Sequence, residues 1–210
     1  MKYNNIYFIT GTAYAGKSTL AKYLANKYEA ILCGENYHDE YFNELDPKEF
    51  PNLNYTRNLL DWHDFIRRTP NEYKAWVDGV SKECEKLELI ILDNISKTNK
   101  LIFVDTNISL DTLEKITDPS HVLIMLADPS ISVNRFFERP DREKQFLYKL
   151  IMEEKDPNFA LNNFRECLSK INSIEKYNYF LNSGFNVILR DENRTIEETS
   201  MIAEKYFQLK

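Results

Sequence analysis

Glycine is scarce in this sequence, with five residues in 210, where the usual ~7% would give about fifteen. Long apolar runs are also missing. Residues 1–7 read MKYNNIY, without the apolar stretch of a signal peptide, and no window approaches the ~20 apolar residues of a membrane span. These absences argue against secretion and membrane insertion, so we expect a cytoplasmic protein.

Cysteine and basic residues are limited too. The three cysteines, Cys33, Cys84 and Cys167, are widely spaced and include no CxxC pair, which argues against a disulfide framework and a zinc site. We expect reduced, buried thiols. The formal charge of -6 comes from 27 Lys and Arg against 33 Asp and Glu, without a basic run, and it argues against nucleic acid as a partner. We expect a single domain over residues 1–210 that acts as a monomer or homodimer.

Short apolar segments alternate with longer helical patterns along the chain. Runs such as IFV at 102–104 and VLIML at 122–126 are continuously apolar, as in strands buried on both faces of a parallel sheet. The alternation therefore predicts an α/β layered fold. The predicted strands cover residues 6–10, 101–105, 122–127 and 186–189, with a weaker one at 30–33.

Prolines and capping residues mark the predicted helix starts. Prolines at positions 47, 70, 129 and 157 each come directly after an N-cap residue, and the first helical turn tolerates proline there. Capping-box spacing occurs at Thr69 and Glu72, and again at Thr195 and Glu198. Helices are therefore predicted to begin near 47, 70, 129, 157 and 196. Apolar residues at helical spacing predict long amphipathic helices over 69–91 and 164–174.

One motif carries specific chemistry. Residues 11–18 read GTAYAGKS, which matches the P-loop pattern G-x-x-x-x-G-K-[ST] between a predicted strand and a helical pattern. In a P-loop, backbone N–H groups surround phosphates, and the next helix directs its positive end at them. Lys17 is predicted to reach the β- and γ-phosphates and Ser18 to ligate Mg²⁺. The predicted nucleotide-binding residues of the loop are Gly11, Thr12, Ala13, Tyr14, Ala15, Gly16, Lys17, Ser18 and Thr19.

The rest of the chain narrows the class of P-loop protein. The nearest match to the guanine-reading N-K-x-D pattern is NKYE at 26–29, which has the wrong last residue and lies in a predicted helix, so a GTPase is disfavoured. A large ATP-driven motor needs more core than 210 residues allow, which leaves a small-molecule kinase. On its P-loop and the position of that loop, the sequence resembles the nucleoside and nucleotide kinase superfamily, which includes adenylate-kinase-like and shikimate-kinase-like enzymes. The resemblance extends over nearly the whole chain.

The resemblance implies a three-layer P-loop NTPase fold. Its five-stranded parallel sheet has the order 2-3-1-4-5, with helices on both faces, a helical substrate-binding insertion after the second strand and a lid after the fourth. Here the insertion corresponds to residues of about 35–100 and the lid to about 135–145. Asp105 ends the third predicted strand, where a Walker B-like acid would hold Mg²⁺ together with Ser18. The alternative is a strand-end Asp that starts a turn.

The lid segment contains three arginines within eight residues, Arg135, Arg139 and Arg142. Guanidinium groups can clamp the oxygens of a transferring phosphoryl group. Arg135 and Arg139 are expected to share a helical face, and Pro140 to end that helix. We predict catalytic roles for Arg139 and Arg142; the alternative is a solvated surface helix.

A kinase of an alcohol also needs a carboxylate near the acceptor's proton. Glu35 and Asp39 are rival candidates after the second strand, because this position holds a glutamate in the deoxynucleoside-kinase branch and an aspartate in the shikimate- and gluconate-kinase branches. Asp105 is a third. His38 is interpreted as a polar loop residue. In these families the loop after the fifth strand borders the adenine, so Arg194 is a candidate to stack on the base, or else an exposed loop arginine.

The insertion supplies candidate substrate residues. Arg57, Trp62 and Arg67 combine an aromatic face with guanidinium groups, as a pocket for a nucleoside, a sugar or a phosphorylated acceptor would. An ordinary amphipathic helix explains the same pattern. If the acceptor is itself a phosphate, Arg57 and Arg67 are the expected clamps.

These observations favour a kinase that uses ATP and Mg²⁺ and phosphorylates a nucleoside, a nucleotide or a sugar-like alcohol. A second hypothesis is a nucleotide-binding regulator or sensor that transfers nothing. A third is a polynucleotide 5'-end kinase, against which the acidic charge balance argues.

Overall fold

The computed structural model describes residues 3–209, apart from the side chain of Asn43. Met1, Lys2 and Lys210 lie outside the described residues, so the expectations for residues 1–7 and for the whole span 1–210 extend beyond them. Among the described residues, no helix combines the length and the apolar character needed to cross a membrane.

Five parallel strands form one sheet in the order β2-β3-β1-β4-β5, which confirms the predicted α/β fold and strand order. Central β1 pairs with β3 and β4 in registers that place Ile9 beside Asp105 and Gly11 beside Met125. Each predicted strand forms, within one residue at either end. The strands are β1 (Ile6–Gly11), β2 (Ile31–Cys33), β3 (Ile102–Asp105), β4 (Val122–Leu126) and β5 (Asn186–Leu189).

Helices cover both faces of the sheet and build a further bundle beside it. The α-helices of the described residues are α1 (Lys17–Lys27), α2 (His63–Ile66), α3 (Pro70–Ile95), α4 (Leu110–Ile116), α5 (Pro129–Asn134), α6 (Arg142–Met152), α7 (Pro157–Ile171), α8 (Ile174–Leu181) and α9 (Ile196–Phe207). Short 3₁₀ segments occur at Tyr37–Glu44, Tyr55–Asn58, Pro119–His121 and Phe136–Glu138.

Alternating side chains of the central strands fill two separate cores, because successive residues of a strand point to opposite faces. Phe8 of β1 packs in the core that α3, α4 and α8 cover. Ile9 packs in the core under α1 and α9, with Leu20 and Phe207. A third core joins α2, α3, α6 and α7 around Phe65 and Phe164. The sheet thus fixes the carboxyl ends of β1, β2 and β3 at one edge, and the helical bundle stands over that edge.

Cap chemistry explains the helix starts that the sequence predicts correctly. Both predicted capping boxes form, at Thr69 with Glu72 and at Thr195 with Glu198. The side chain of Asp128 accepts a hydrogen bond from Ser130 N and begins α5. Helices α3, α5, α7 and α9 therefore begin where predicted.

The predicted helix near residue 47 is wrong. Asp46 does cap the next residues, since its Oδ1 accepts a hydrogen bond from Lys48 N at 2.9 Å and its carbonyl accepts one from Phe50 N. Only a turn forms, because Pro51 lacks an N–H group and restricts the residue before it away from helical backbone angles.

Two other helical predictions need correction. The pattern over 164–174 is split, because α7 ends at Ile171 and the side chain of Ser173 caps a new helix, which leaves Ile174 largely exposed. Arg135 and Arg139 share no helical face. Helix α5 ends at Asn134, a single 3₁₀ turn follows, and Arg139 has extended backbone.

The three cysteines are free and buried, as expected. Burial raises the pKa of the Cys33 and Cys84 thiols to about 12 and that of Cys167 to about 11. Because the thiolate is the reactive form, these groups are chemically inert at neutral pH.

Candidate active site

The predicted P-loop connects β1 to α1 and is attached to β4. Gly11 has a φ of 131°, and a Cβ atom there would lie 1.9 Å from the carbonyl oxygen of Met125, so the position requires glycine. Thr12 Oγ1 accepts a hydrogen bond from Ala127 N at 2.7 Å, and Thr12 N donates one to Met125 O at 3.0 Å. Gly16, with a φ of 94°, occupies the N-cap of α1 without a side-chain cap. The first N–H groups of α1 are therefore available to an anion.

A cavity of about 460 Å³ opens above this loop, and we call it the P-loop cavity. Most residues predicted to bind nucleotide line it. Ala15 does not, because its side chain is buried in the core beside α1. Four cations from three parts of the chain line the cavity: Lys17, Arg139, Lys144 and Lys176. Glu35 is the acidic side chain in its lining.

Ser18 lines the P-loop cavity and contacts two carboxylates, Glu35, which also lines the cavity, and Asp105, which is buried behind it. Ser18 Oγ lies 2.5 Å from Asp105 Oδ2 and 3.4 Å from Glu35 Oε2. Parallel strands place their carboxyl ends at one edge, so residues at or just after the ends of β1, β2 and β3 meet although they are far apart in sequence. Burial raises the pKa of Asp105, while the charge of Lys17 and the Ser18 hydrogen bond oppose the rise. A cation bound at this carboxylate would favour its ionised form.

Arg139 and Lys144 reach the cavity beside Tyr14. The Arg139 guanidinium lies 4.3 Å from the centre of the Tyr14 ring, and Lys144 Nζ lies 5.5 Å from it. Tyr14 is held in place in turn, since its hydroxyl donates to Arg135 O and its carbonyl accepts from the guanidinium of Arg190. The guanidinium of Arg135 instead pairs with Glu192.

Lys176 enters the same cavity from α8, opposite the P-loop. Surrounding protein lowers its pKa, and the charges of Lys17 and Lys74 add to this effect while Asp78 opposes it. Its side chain stays accessible from the cavity. A positive charge that is crowded by another cation and open to solvent is stabilised by an anion. Lys176 is therefore a further candidate to contact phosphate.

A second cavity of about 710 Å³ adjoins the first, and we call it the aromatic cavity. Tyr73 and Asn107 line both cavities, so the two meet at these side chains. The aromatic side chains of the second cavity are Phe42, Trp62, Phe65, Tyr73, Trp76 and Phe146. Its charged side chains are Asp39, Arg142 and Glu143. Trp62, predicted as a substrate residue, lies here, and Arg142 lines this cavity instead of the P-loop cavity.

A buried carboxylate holds Asn107 at the junction. Glu88 is fully buried in α3 and accepts hydrogen bonds from Asn107 Nδ2 at 3.0 Å and from Thr106 Oγ1 at 2.6 Å. Burial raises the pKa of Glu88. His38 lies with its Nδ1 atom 3.5 Å from Glu88 Oε1 and its Nε2 atom 3.3 Å from Cys84 Sγ. His38 is interpreted from the sequence as a polar loop residue, but it lies buried in the 3₁₀ segment Tyr37–Glu44, and burial lowers its pKa.

Three predicted arginines lie outside both cavities. Arg57 Nη1 donates to Phe42 O at 2.5 Å. Arg67 pairs with Glu154 at 2.9 Å. Arg194 donates to Leu189 O and lies beside α9, away from the P-loop. Each guanidinium thus contacts neighbouring protein groups and none lines the space above the P-loop.

Sequence reasoning missed Lys144, Lys176, Tyr73 and Asn107. None belongs to a motif, and they come from α6, α8, α3 and the loop after β3. Lys144 falls within the predicted lid segment. Lys176 lies in the first turn of α8, whose start the apolar pattern over 164–174 hides. Their shared position depends on tertiary packing.

Comparison with proteins of known function gives a distant relative. The dephospho-CoA kinase of Fusobacterium nucleatum subsp. nucleatum is 24% identical to this chain over 156 residues, which cover 70% of this chain and 79% of that kinase. No family model matches the chain. The similarity gives weak support to a P-loop kinase of small molecules and leaves the acceptor open.

Proposed function

We propose that the chain is an ATP- and Mg²⁺-dependent kinase that transfers the γ-phosphoryl group to an alcohol of a small molecule. The observation that carries the proposal is the meeting of Ser18, Asp105 and Glu35 under a P-loop whose cavity is lined by four cations. The distant similarity to a dephospho-CoA kinase supports the same class. A nucleoside, a nucleotide, a sugar-like alcohol and dephospho-CoA are the acceptor candidates.

In this proposal the P-loop binds the phosphates of ATP. The N–H groups of the loop and of the first turn of α1 surround them, and Lys17 moves from its hydrogen bond with Thr12 O, at 3.1 Å, to the β- and γ-phosphates. Arg139, Lys144 and Lys176 contact the γ-phosphoryl group from the other walls. Three side chains that carry positive charge would stabilise the negative charge of the transition state.

Ser18 and Asp105 fit a magnesium ion. A hydroxyl and a carboxylate are the hard oxygen donors that Mg²⁺ prefers, and Mg²⁺ commonly takes its other ligands from phosphates and water. When bound, the ion would neutralise charge on the phosphates.

Glu35 is the proposed base. It lines the P-loop cavity beside Ser18, whereas Asp39 lines the aromatic cavity. The acceptor oxygen forms a bond to the γ-phosphorus, the bond from that phosphorus to the β–γ bridging oxygen breaks, and ADP leaves. The hydroxyl proton passes to the Glu35 carboxylate.

The proposal also assigns the two segments that surround the cavities. Residues of about 35–100 would form the acceptor-binding insertion and about 135–145 a lid that carries Arg139, within a single domain. The contact of Arg139 with the ring of Tyr14, a P-loop residue, supports the lid assignment.

Lys17→Met tests the proposal. We expect acceptor-dependent ADP release to fall about a hundredfold or more, as when a group that stabilises the transition state is lost. The free energy of unfolding should change by no more than about 1 kcal/mol, because Lys17 makes one hydrogen bond to the loop. Lys22→Met is the matched control, since Lys22 is exposed on the same helix and lines neither cavity.

The assay measures ADP release with nucleosides, nucleotides, sugars and dephospho-CoA as acceptors. Unchanged turnover in Lys17→Met would overturn the proposal. Binding of ATP without turnover on any acceptor would favour the regulator or sensor hypothesis instead.

A further inference from the structure

The two adjoining cavities differ in charge. The P-loop cavity carries four cations and one acidic side chain, Glu35. The aromatic cavity carries two acidic side chains, Asp39 and Glu143, and one cation, Arg142. Its buried histidine, His38, has a pKa that burial lowers, so it adds no positive charge near neutral pH. Two more guanidinium groups lie against the aromatic walls, Arg68 at 5.4 Å from the Trp76 ring and Arg57 at 5.8 Å from the Phe42 ring, but neither lines the cavity. The lining charges thus favour phosphate more in the P-loop cavity than in the aromatic cavity.

Asp39 and Glu143 act on the same space. They belong to the 3₁₀ segment Tyr37–Glu44 and to α6, on different walls of the aromatic cavity. Burial raises the pKa of Asp39, and the charge of Glu143 raises it further, so each carboxylate lies within the field of the other. A phosphate placed between them would add a third negative charge.

The walls of the aromatic cavity suit a flat ring. Trp62 packs edge-on against Phe146 with ring centroids 5.5 Å apart, and Phe65 packs edge-on against Trp76 at 5.1 Å. Flat ligands gain both buried area and favourable ring geometry against such walls. Asn36, Thr56 and Asn107 add amide and hydroxyl groups that can recognise the edge of a heteroaromatic ring.

The position of the aromatic cavity makes it an acceptor site. It meets the P-loop cavity at Tyr73 and Asn107, so a molecule that fills it can extend a hydroxyl group toward the γ-phosphoryl position. Its volume of about 710 Å³ lies within the ~300–1,000 Å³ that small-molecule sites occupy.

We propose that the aromatic cavity binds the acceptor, and that the acceptor is an uncharged alcohol with a flat heteroaromatic ring, of the nucleoside class, in preference to its phosphorylated form. This inference rests on the proposed function and narrows its substrate class. The neutral ring lies among the aromatic side chains, and the hydroxyl that receives the phosphoryl group points to Glu35.

The test uses the tryptophan fluorescence of the full chain. The sequence contains two tryptophans, and both Trp62 and Trp76 line the aromatic cavity. With ADP and Mg²⁺ present, four nucleosides (adenosine, guanosine, cytidine and thymidine) are titrated in parallel with their 5'-monophosphates and with dephospho-CoA. Excitation at the red edge of tryptophan absorption avoids absorption by the ligands. We expect at least one nucleoside to change the fluorescence, with a Kd about tenfold or more below that of its monophosphate.

Charge variants show whether the acidic pair causes the preference. In the double variant Asp39→Asn with Glu143→Gln, the ratio of the two Kd values should fall at least about threefold, since the repulsion of phosphate is removed. Glu153→Gln, an exposed change at the end of the same helix, should leave the ratio unchanged.

Two results would overturn the inference: monophosphates or dephospho-CoA that bind as tightly as the best nucleoside, or fluorescence that no compound of the panel changes. Turnover assays separate this from the proposed function. Turnover on a phosphorylated acceptor alone would keep the kinase and reject the inference, while nucleoside binding without turnover would keep the acceptor class of the cavity and reject the kinase.

Discussion

Lys176 carries its charge in surroundings that disfavour it. Its amine shares the P-loop cavity with Lys17, and partial desolvation by the surrounding protein and the neighbouring lysines lower its pKa. The amine therefore loses its proton at a lower pH than an ordinary lysine does. A bound phosphate would reverse this effect, because a nearby negative charge favours the protonated form.

Nucleotide affinity should therefore fall at alkaline pH because Lys176 loses its positive charge. Above the lowered pKa the amine is neutral, so the KM for ATP should rise as pH rises in the wild-type protein. Lys176→Arg keeps its charge at all pH values in this range and should flatten that rise. Initial rates at varied ATP and pH measure the effect.

Lys170→Arg is the control for this comparison. Lys170 is exposed on α7 and lines neither cavity, so its variant should reproduce the wild-type pH curve. If Lys176→Arg and Lys170→Arg gave the same curve, the contribution of Lys176 to nucleotide binding would be excluded.

Sequence reasoning locates those site residues whose positions follow from the backbone, since such positions leave a contiguous pattern in the sequence. The P-loop pattern locates Lys17 and Ser18, and strand ends locate Glu35 and Asp105, because parallel strands present their carboxyl ends together. Long side chains behave differently. Arg67 follows α2 and Lys176 lies in the first turn of α8, and no motif distinguishes them in the sequence. One pairs with Glu154 and the other lines a cavity. Packing between distant helices decides which occurs.

At the scale of elements, the break between α7 and α8 determines where Lys176 lies. Ser173 caps α8, and its hydroxyl accepts a hydrogen bond from Lys176 N at 3.3 Å. Asn172 Nδ2 donates to Leu168 O at 3.0 Å and closes α7. The two residues turn the chain so that the start of α8 faces the P-loop.

Ser173→Ala should therefore affect both stability and nucleotide binding. Loss of the cap should cost about 1 kcal/mol of the free energy of unfolding. The KM for ATP should rise as well, because the frayed first turn of α8 no longer holds Lys176 in the cavity. Denaturant unfolding and initial rates give the two values.

Thr195→Ala provides the matched comparison. It removes the cap of α9, which lies on the sheet away from the P-loop cavity, so it should cost a similar free energy and leave the KM for ATP unchanged. Equal effects of the two variants on KM would show that Ser173 acts through stability alone.

The sequence predicts well those strands and helix starts that short stretches of sequence specify. It misses a turn and a helix break that short stretches do not specify. Short apolar segments predict all five strands, the weakest of them β2, and cap residues predict the starts of α3, α5, α7 and α9. The turn at Asp46 and the break at Asn172 escape such reasoning. At Asp46 the sequence contains a cap signal, but Pro51 prevents a helix from following it. At Asn172 the apolar spacing continues from α7 into α8 and hides the break between them.

At the scale of the whole molecule, one helix belongs to both cavities. Glu143 and Lys144 are neighbours on α6, yet Glu143 lines the aromatic cavity and Lys144 the P-loop cavity. A shift of α6 therefore changes both sites at once. We expect ADP to tighten acceptor binding about fivefold or more, and the acceptor to tighten ADP binding by the same factor, because a binding coupling is reciprocal.

Calorimetric titration of each ligand, with and without the other, measures this coupling, and independent Kd values would contradict it. The shared helix has a consequence for the fate of ATP. With the expected coupling, a nucleotide bound without acceptor would be held more loosely, and its γ-phosphoryl group would meet an incompletely formed site. In the proposed kinase, transfer to water would then be slow until an acceptor is present, so the common wall would limit wasteful hydrolysis of ATP.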